Sequence, residues 1–314
     1  MRNDFESFFN TINKFEIKEE WDKARDIKKK RSIITLSIII IIDIIMIYVL
    51  IHYISFFEGK FSAMKLSVIL FFLVIDTIIY SLATVGGVNI YANAFKEKII
   101  DLLLKNFFDN VDYIPKKEMP SLIYNEGLYE GYDNYYSDDY MEADIDNKYR
   151  IKMANIETEK NVRSTDSDGN TTTHTQTVFS GLFAKINIGK SINNELRITP
   201  NIAFLRKNKL NMDSQEFEKY FDVISTNKIV GMQLLTHDIM AELINYRKDL
   251  NKPFDIYIKD STMYIRLYVG DMFEAKMSRK SVVDKGIVEK YFYVVNIIYS
   301  LSKQMIRVVD ETEI

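Results

Sequence analysis

Two long apolar runs near the N-terminus constrain this chain more than any other feature. Residues 33–54 and 66–85 are made largely of Ile, Leu, Val and Phe, and each is about 20 residues long. At 1.5 Å rise per residue a helix of that length crosses a hydrocarbon core of ~30 Å. Residues 56–65 leave room only for a short turn, so the two spans are expected to form an antiparallel transmembrane hairpin within residues 32–87. Each run carries one aspartate near its middle, Asp43 and Asp76. A central Asp costs roughly 3 kcal/mol of insertion free energy, and a dozen or more Ile, Leu, Val and Phe recover about 5 kcal/mol. Both segments are therefore expected to insert. A cleaved signal peptide fits less well, because the apolar core is too long and no small-residue cleavage pattern follows it.

Charge sets the expected orientation. Lys23, Arg25, Lys28, Lys29, Lys30 and Arg31 precede the first span, and Lys96 and Lys98 follow the second, while the connecting turn offers only Lys60 and Lys65. The positive-inside bias then places both termini in the cytoplasm of a multi-pass cell-membrane protein. Residues 1–31 combine this basic charge with Phe5, Phe8, Phe9, Ile12, Phe15 and Trp21. That pattern reads as an amphipathic helix at the bilayer surface or as a plain basic topology signal.

The remainder has room for one sizeable core, since 47% of the 314 residues are hydrophobic. With 41 basic and 44 acidic side chains the net charge is −3, which gives no nucleic-acid signal. The chain has no cysteine, which removes disulfides, thiolate metal sites and cysteine nucleophiles together. The richness in Ile, Lys, Asn and Tyr matches an AT-rich bacterial genome.

After Gly86 and Gly87, the residues Val88, Tyr91, Phe95, Ile99, Leu102 or Leu103, and Phe107 recur at helical spacing, giving a juxtamembrane helix within residues 88–114. Pro115 and Pro120 then open a soluble domain, residues 115–314, in which short alternating segments replace long helical periods. Strands are expected at 149–157, 171–188, 196–205, 221–225, 254–258 and 263–269, the last two joined as a hairpin, with a polar loop at 164–170. Long helices are expected at 229–250 and 282–308. The fold class is α+β: a mainly antiparallel sheet domain with two long helices, behind the membrane hairpin.

Several short motifs carry a resemblance. Phe179-Ser-Gly181-Leu182-Phe183, then Phe217 and Phe221-Asp-Val-Ile-Ser225, then Leu234-Leu235-Thr236 leading to Met240 and Leu243, then Met263-Tyr-Ile265 and Phe273-Glu274, resemble the bacterial family catalogued as domain of unknown function 3137. Upstream, Glu126-Gly127-Leu128-Tyr129, followed by Tyr135 to Tyr140 with Asp138 and Asp139, is similar to that family's first block. His237 stands where the family usually has Pro, and Glu126 where it has a small residue. The resemblance implies architecture and supplies no catalytic residues, and its motif positions read as structural.

Chemistry is sparse. His52, His174 and His237 share no metal-ligand spacing. Asp166-Ser-Asp168-Gly169 lacks the closing Glu of a calcium loop and reads as a turn. Gly86-Gly87 has no following Lys-Ser/Thr, and no Gly-x-Ser-x-Gly elbow occurs. The acidic, aromatic stretch 132–144 reads as a solvated loop. The intramembrane group Asp43, Asp76 and Tyr80 is the one polar set that resists a bland account, read as interhelical hydrogen bonding ahead of proton or ion movement. No cofactor or metal is expected. The expected partners are the lipid bilayer, an unidentified protein or peptide, and a further copy of the chain. The expected role is a cytoplasmic-face binding or scaffolding module. An enzyme without a readable motif and an oligomeric ion-coupled device are the alternatives, with the balance leaning against an enzyme.

Overall fold

A computed structural model of the chain describes residues 2–54, 70, 72–81, 88–165, 171–201, 209–275 and 281–311. It divides into two compact units, one of residues 1–9, 99–274 and 285–314 and one of residues 10–98 and 275–284.

The second unit is helical. Helix α2, Lys14–Ile54, is a continuous 41-residue helix. Its most apolar stretch has a mean hydropathy of 2.2 and is almost entirely exposed, and it is long and apolar enough to cross a membrane. Helix α3 is apolar over its described residues Phe72–Ser81. Most of the rest of the second expected span, and the 56–65 turn, lie outside the described residues. Helix α4, Val88–Phe95, runs into a π-helical turn, Lys96–Ile100. There the Lys98 ammonium donates to the Glu20 carboxylate (3.2 Å) and to the Glu16 carbonyl, fastening the turn to the base of α2.

The N-terminal amphipathic pattern folds differently from the single helix expected. Helix α1, Arg2–Thr11, ends before α2 begins. Its apolar face is buried in protein, with the Phe5 and Phe8 rings each 5.5 Å from that of Phe292. Aromatic contact with the C-terminal helix thus takes the surface that periodicity alone would assign to lipid.

The first unit is built on one antiparallel sheet of eight strands: β1 Asp109–Ile114, β2 Asn134–Ile145, β3 Tyr149–Thr165, β4 Thr171–Asn187, β5 Glu195–Pro200, β6 Phe221–Ser225, β7 Phe254–Lys259 and β8 Thr262–Leu267. Their spatial order is β1-β2-β3-β4-β8-β7-β5-β6. The expected β7–β8 hairpin is present. Around the sheet lie α5 Asp101–Phe107, α6 Ser121–Asn125, α7 Gln215–Tyr220, α8 Lys228–Leu234, α9 His237–Leu250 and α10 Lys285–Glu311.

Register shows why the sheet has two unlike faces. One row across the strands reads Leu196, Ile258, Met263, Ile186, Ile151, Ala143, all fully buried. The adjacent row, displaced by one residue and so on the opposite face, reads Arg197, Tyr257, Tyr264, Lys185, Lys152, Glu142. The first face makes an aliphatic core, and the second is aromatic and charged.

Three expectations need correction. Residues 132–144 are mostly strand β2 and not a loop, because the acids find cross-strand cations: Arg150 pairs with Glu142 (2.8 Å) and Asp144 (3.2 Å). The expected helix at 229–250 is two helices. Leu235 leaves helical geometry, and the Thr236 side chain accepts from the Ile239 N–H (3.4 Å), capping α9. Residues 164 and 165 extend β3, while the rest of the expected 164–170 loop, with the Asp-Ser-Asp-Gly motif, lies outside the described residues. Strand β1 and helices α6 and α7 had no periodic signal, being only five or six residues long.

Candidate functional site

The two sequence blocks that carry the family resemblance meet on the aromatic face of the sheet. Gly127 and Leu128 follow α6, and a Cβ at Gly127 would overlap the Tyr129 ring, so glycine lets that ring fold down. Tyr129 then packs edge-on against Phe183 (6.1 Å between centroids), and Tyr124 stacks on Phe179 (6.0 Å). Gly181, between those phenylalanines, lets β4 approach the chain leaving β8: a Cβ there would overlap the Leu267 carbonyl oxygen and lie 2.9 Å from the Val269 nitrogen.

At the centre of this cluster is an ion pair that the sequence reading missed. Asp255 of β7 and Arg266 of β8 are cross-strand partners. The Arg266 Nε lies 3.1 Å from both Asp255 oxygens and Nη2 lies 2.7 Å from Oδ2, while Nη1 donates to the Tyr124 hydroxyl (3.1 Å). Tyr268 donates to Asp255 Oδ2 (3.2 Å), and the guanidinium carbon sits 3.7 Å above the centre of the Tyr129 ring. Asp255 is 4% exposed. Burial raises the Tyr129 phenol well above its ordinary pKa, reinforced by the nearby Asp255 carboxylate and opposed by Arg266, so that phenol stays neutral. Two charged residues among alternating apolar ones gave a pairing signal only once the β7–β8 register was known.

Beside this pair lies a half-open cavity of about 450 Å³, walled by Arg197, Tyr257, Asp255, Arg266, Tyr129 and Tyr268. The Arg197 guanidinium is held over the Tyr257 ring at 4.6 Å. Leu128 and Val178, both substantially exposed, also line the cavity.

A second polar cluster occupies a bulge in β2. The register shift between Asp138 and Met141, with Asp139 at φ 55°, turns two successive carboxylates toward Glu274. One oxygen each of Asp138, Asp139 and Glu274 lies within 4.8 Å of the others, a set that could hold a divalent cation. Tyr113 donates to Asp139 (2.6 Å), and the Asn155 amide donates to Asp138 (3.2 Å) and Asp271 (2.6 Å). Burial, then the Asp139 charge, pushes the Tyr113 phenol far above its ordinary pKa. On the same strand, hydrogen bonds from Tyr140 and Arg150 draw the Glu142 carboxyl down to about 2.

The remaining sequence-chosen residues are dispersed. Phe217 and Phe221 stack at 5.1 Å in the core, Leu182 is fully buried, and Leu235 and Thr236 form the break between α8 and α9. Asp43 lies in α2, and Asp76 and Tyr80 lie in α3. Among the described residues no hydrogen bond joins Asp43 to Asp76, and Asp76 Oδ1 is buried without a hydrogen-bond partner. Tyr80 is bonded to Ser32 of α2 (3.3 Å).

These features define an α+β domain on an eight-stranded antiparallel sheet, in a chain that also carries one helix able to cross a membrane. Residues 177–307 match the model of the family described as protein of unknown function (DUF3137), which bears out the family resemblance for that stretch and extends it into α10. No curated protein matches the chain. Among solved structures, the mycobacterial trehalose monomycolate transport factor A, TtfA, is similar at a TM-score of 0.36 and 8% identity, over 68% of this chain and 95% of that one, a likeness too slight to argue from.

Proposed function

We propose that this chain is a membrane-tethered binding or scaffolding module. In this reading α2 and the segment containing α3 cross the bilayer as an antiparallel hairpin, both termini are cytoplasmic, and the sheet domain is kept at that membrane to engage a protein, peptide or small ligand. One observation carries the reading. From Ile33 to Tyr48, α2 leaves Ile33, Ile34, Leu36, Ile40, Ile44 and Ile45 each at least half exposed. Apolar surface of that extent is stable in lipid and not in water. The Ser32–Tyr80 hydrogen bond supports the hairpin, because it joins the start of one apolar run to the late part of the other. The aspartates serve in this reading as interhelical or interchain hydrogen-bonding groups.

Alkaline carbonate extraction tests the tether. The full chain is expected to stay with the membrane pellet, and a variant with residues 33–85 replaced by a Gly-Ser linker is expected to move to the supernatant. Release of the full chain by carbonate would remove the reading.

A further inference from the structure

The geometry points to the cavity between Arg197 and Arg266 as a binding site for a small ligand that carries an oxyanion, carboxylate or phosphate, on an aromatic or otherwise flat apolar body. Its placement rests on the reading of the domain as a binding module.

The first argument is charge. Arg266 is neutralised by Asp255 through its Nε and Nη2 edge. Arg197 differs: among the described residues its guanidinium makes no ion pair or hydrogen bond, and it sits over the ring of Tyr257. A guanidinium seated over a ring has less freedom left to lose when its planar fork of N–H donors takes up a carboxylate or phosphate, which reduces the ordering cost on binding. The two carboxylates in the wall do not cancel it, since Asp255 is committed to Arg266 and Glu130 is exposed to solvent.

The second argument is the shape and chemistry of the remaining wall. Tyr257 and Tyr129 are buried in the floor, each ring fixed by packing with a guanidinium over it, and the partly exposed Leu128, Val178 and Ile224 supply the apolar wall a flat body would rest on. Leu128 holds φ 59°, a left-handed conformation uncommon for a branched side chain, and is 47% exposed. Val178 is the residue left over where the β3–β4 register shifts between Thr158–Phe179 and Glu159–Thr177, which turns its side chain to solvent. Two apolar side chains are thus exposed at one cavity by backbone irregularities. A volume of about 450 Å³ suits a ligand of one or two rings.

The test uses the full chain purified in detergent and isothermal titration with four probes: phenyl phosphate, benzoate, benzyl alcohol and inorganic phosphate. Phenyl phosphate and benzoate are expected to bind, benzyl alcohol and inorganic phosphate at least tenfold more weakly. Arg197→Met should weaken the two aryl anions at least tenfold, and Arg197→Lys should retain part of the affinity, with the circular dichroism of both variants unchanged. No binding of either aryl anion, equal binding of benzyl alcohol, or full affinity in folded Arg197→Met would each overturn the assignment. Titration in detergent does not depend on the tether, and carbonate extraction reports on the tether alone, so failure of one is distinguishable from failure of the other.

Discussion

Arg266→Met is expected to destabilise the sheet domain by about 3–5 kcal/mol, because it leaves the Asp255 carboxylate buried without its cation, although Tyr268 still donates to it. The cost comes from the abandoned charge more than from the lost attraction. Methionine fills much of the arginine stem's volume and can rest on Tyr129, so packing is largely preserved. The double variant Arg266→Met/Asp255→Leu removes the stranded charge and is expected to recover most of the loss. Chemical denaturation of the four proteins of that cycle measures the difference. If the double variant is as unstable as Arg266→Met alone, the cluster is held by aromatic packing around the arginine and the ion pair is incidental to stability.

Gly181→Ala is expected to cost about 4 kcal/mol or more, the range in which single substitutions become exceptional. The added methyl would meet backbone on two sides, the Leu267 carbonyl oxygen and the Val269 nitrogen, and neither can rotate away as a side chain could. Relief requires the chain after β8 to move, which disturbs the bond from the Gly270 N–H to the Ser180 carbonyl (3.1 Å) and the placement of Tyr268 and Val269. A thermal melt should show the loss. An unchanged midpoint would mean that β4 and the chain after β8 separate at no cost.

The long and the alternating elements of this fold were legible in the sequence. The period of two in 149–157 and 254–269 located β3, β7 and β8, and the apolar run of 33–54 located the helix able to cross a membrane. Legibility failed where a partner decides conformation. Nothing local distinguishes the acids of 134–145 from a solvated loop until Arg150 and Lys152 come opposite them. The Phe5 and Phe8 stripe has helical period, but its covering, Phe292, is 284 or more residues away in the chain. The site was half visible: Leu128 and Tyr129 lie in a motif that could be named, while Arg197, Tyr257, Asp255 and Arg266 become a site only through the β5–β7–β8 register.

If the hairpin holds the sheet domain at the cytoplasmic face, single-cysteine labelling in this cysteine-free chain will report that side of the membrane. Ser62→Cys is expected to react with a membrane-impermeant thiol reagent in intact cells, while Asn3→Cys and Ser167→Cys react only after permeabilisation. Labelling of Ser167→Cys from outside intact cells would contradict the account.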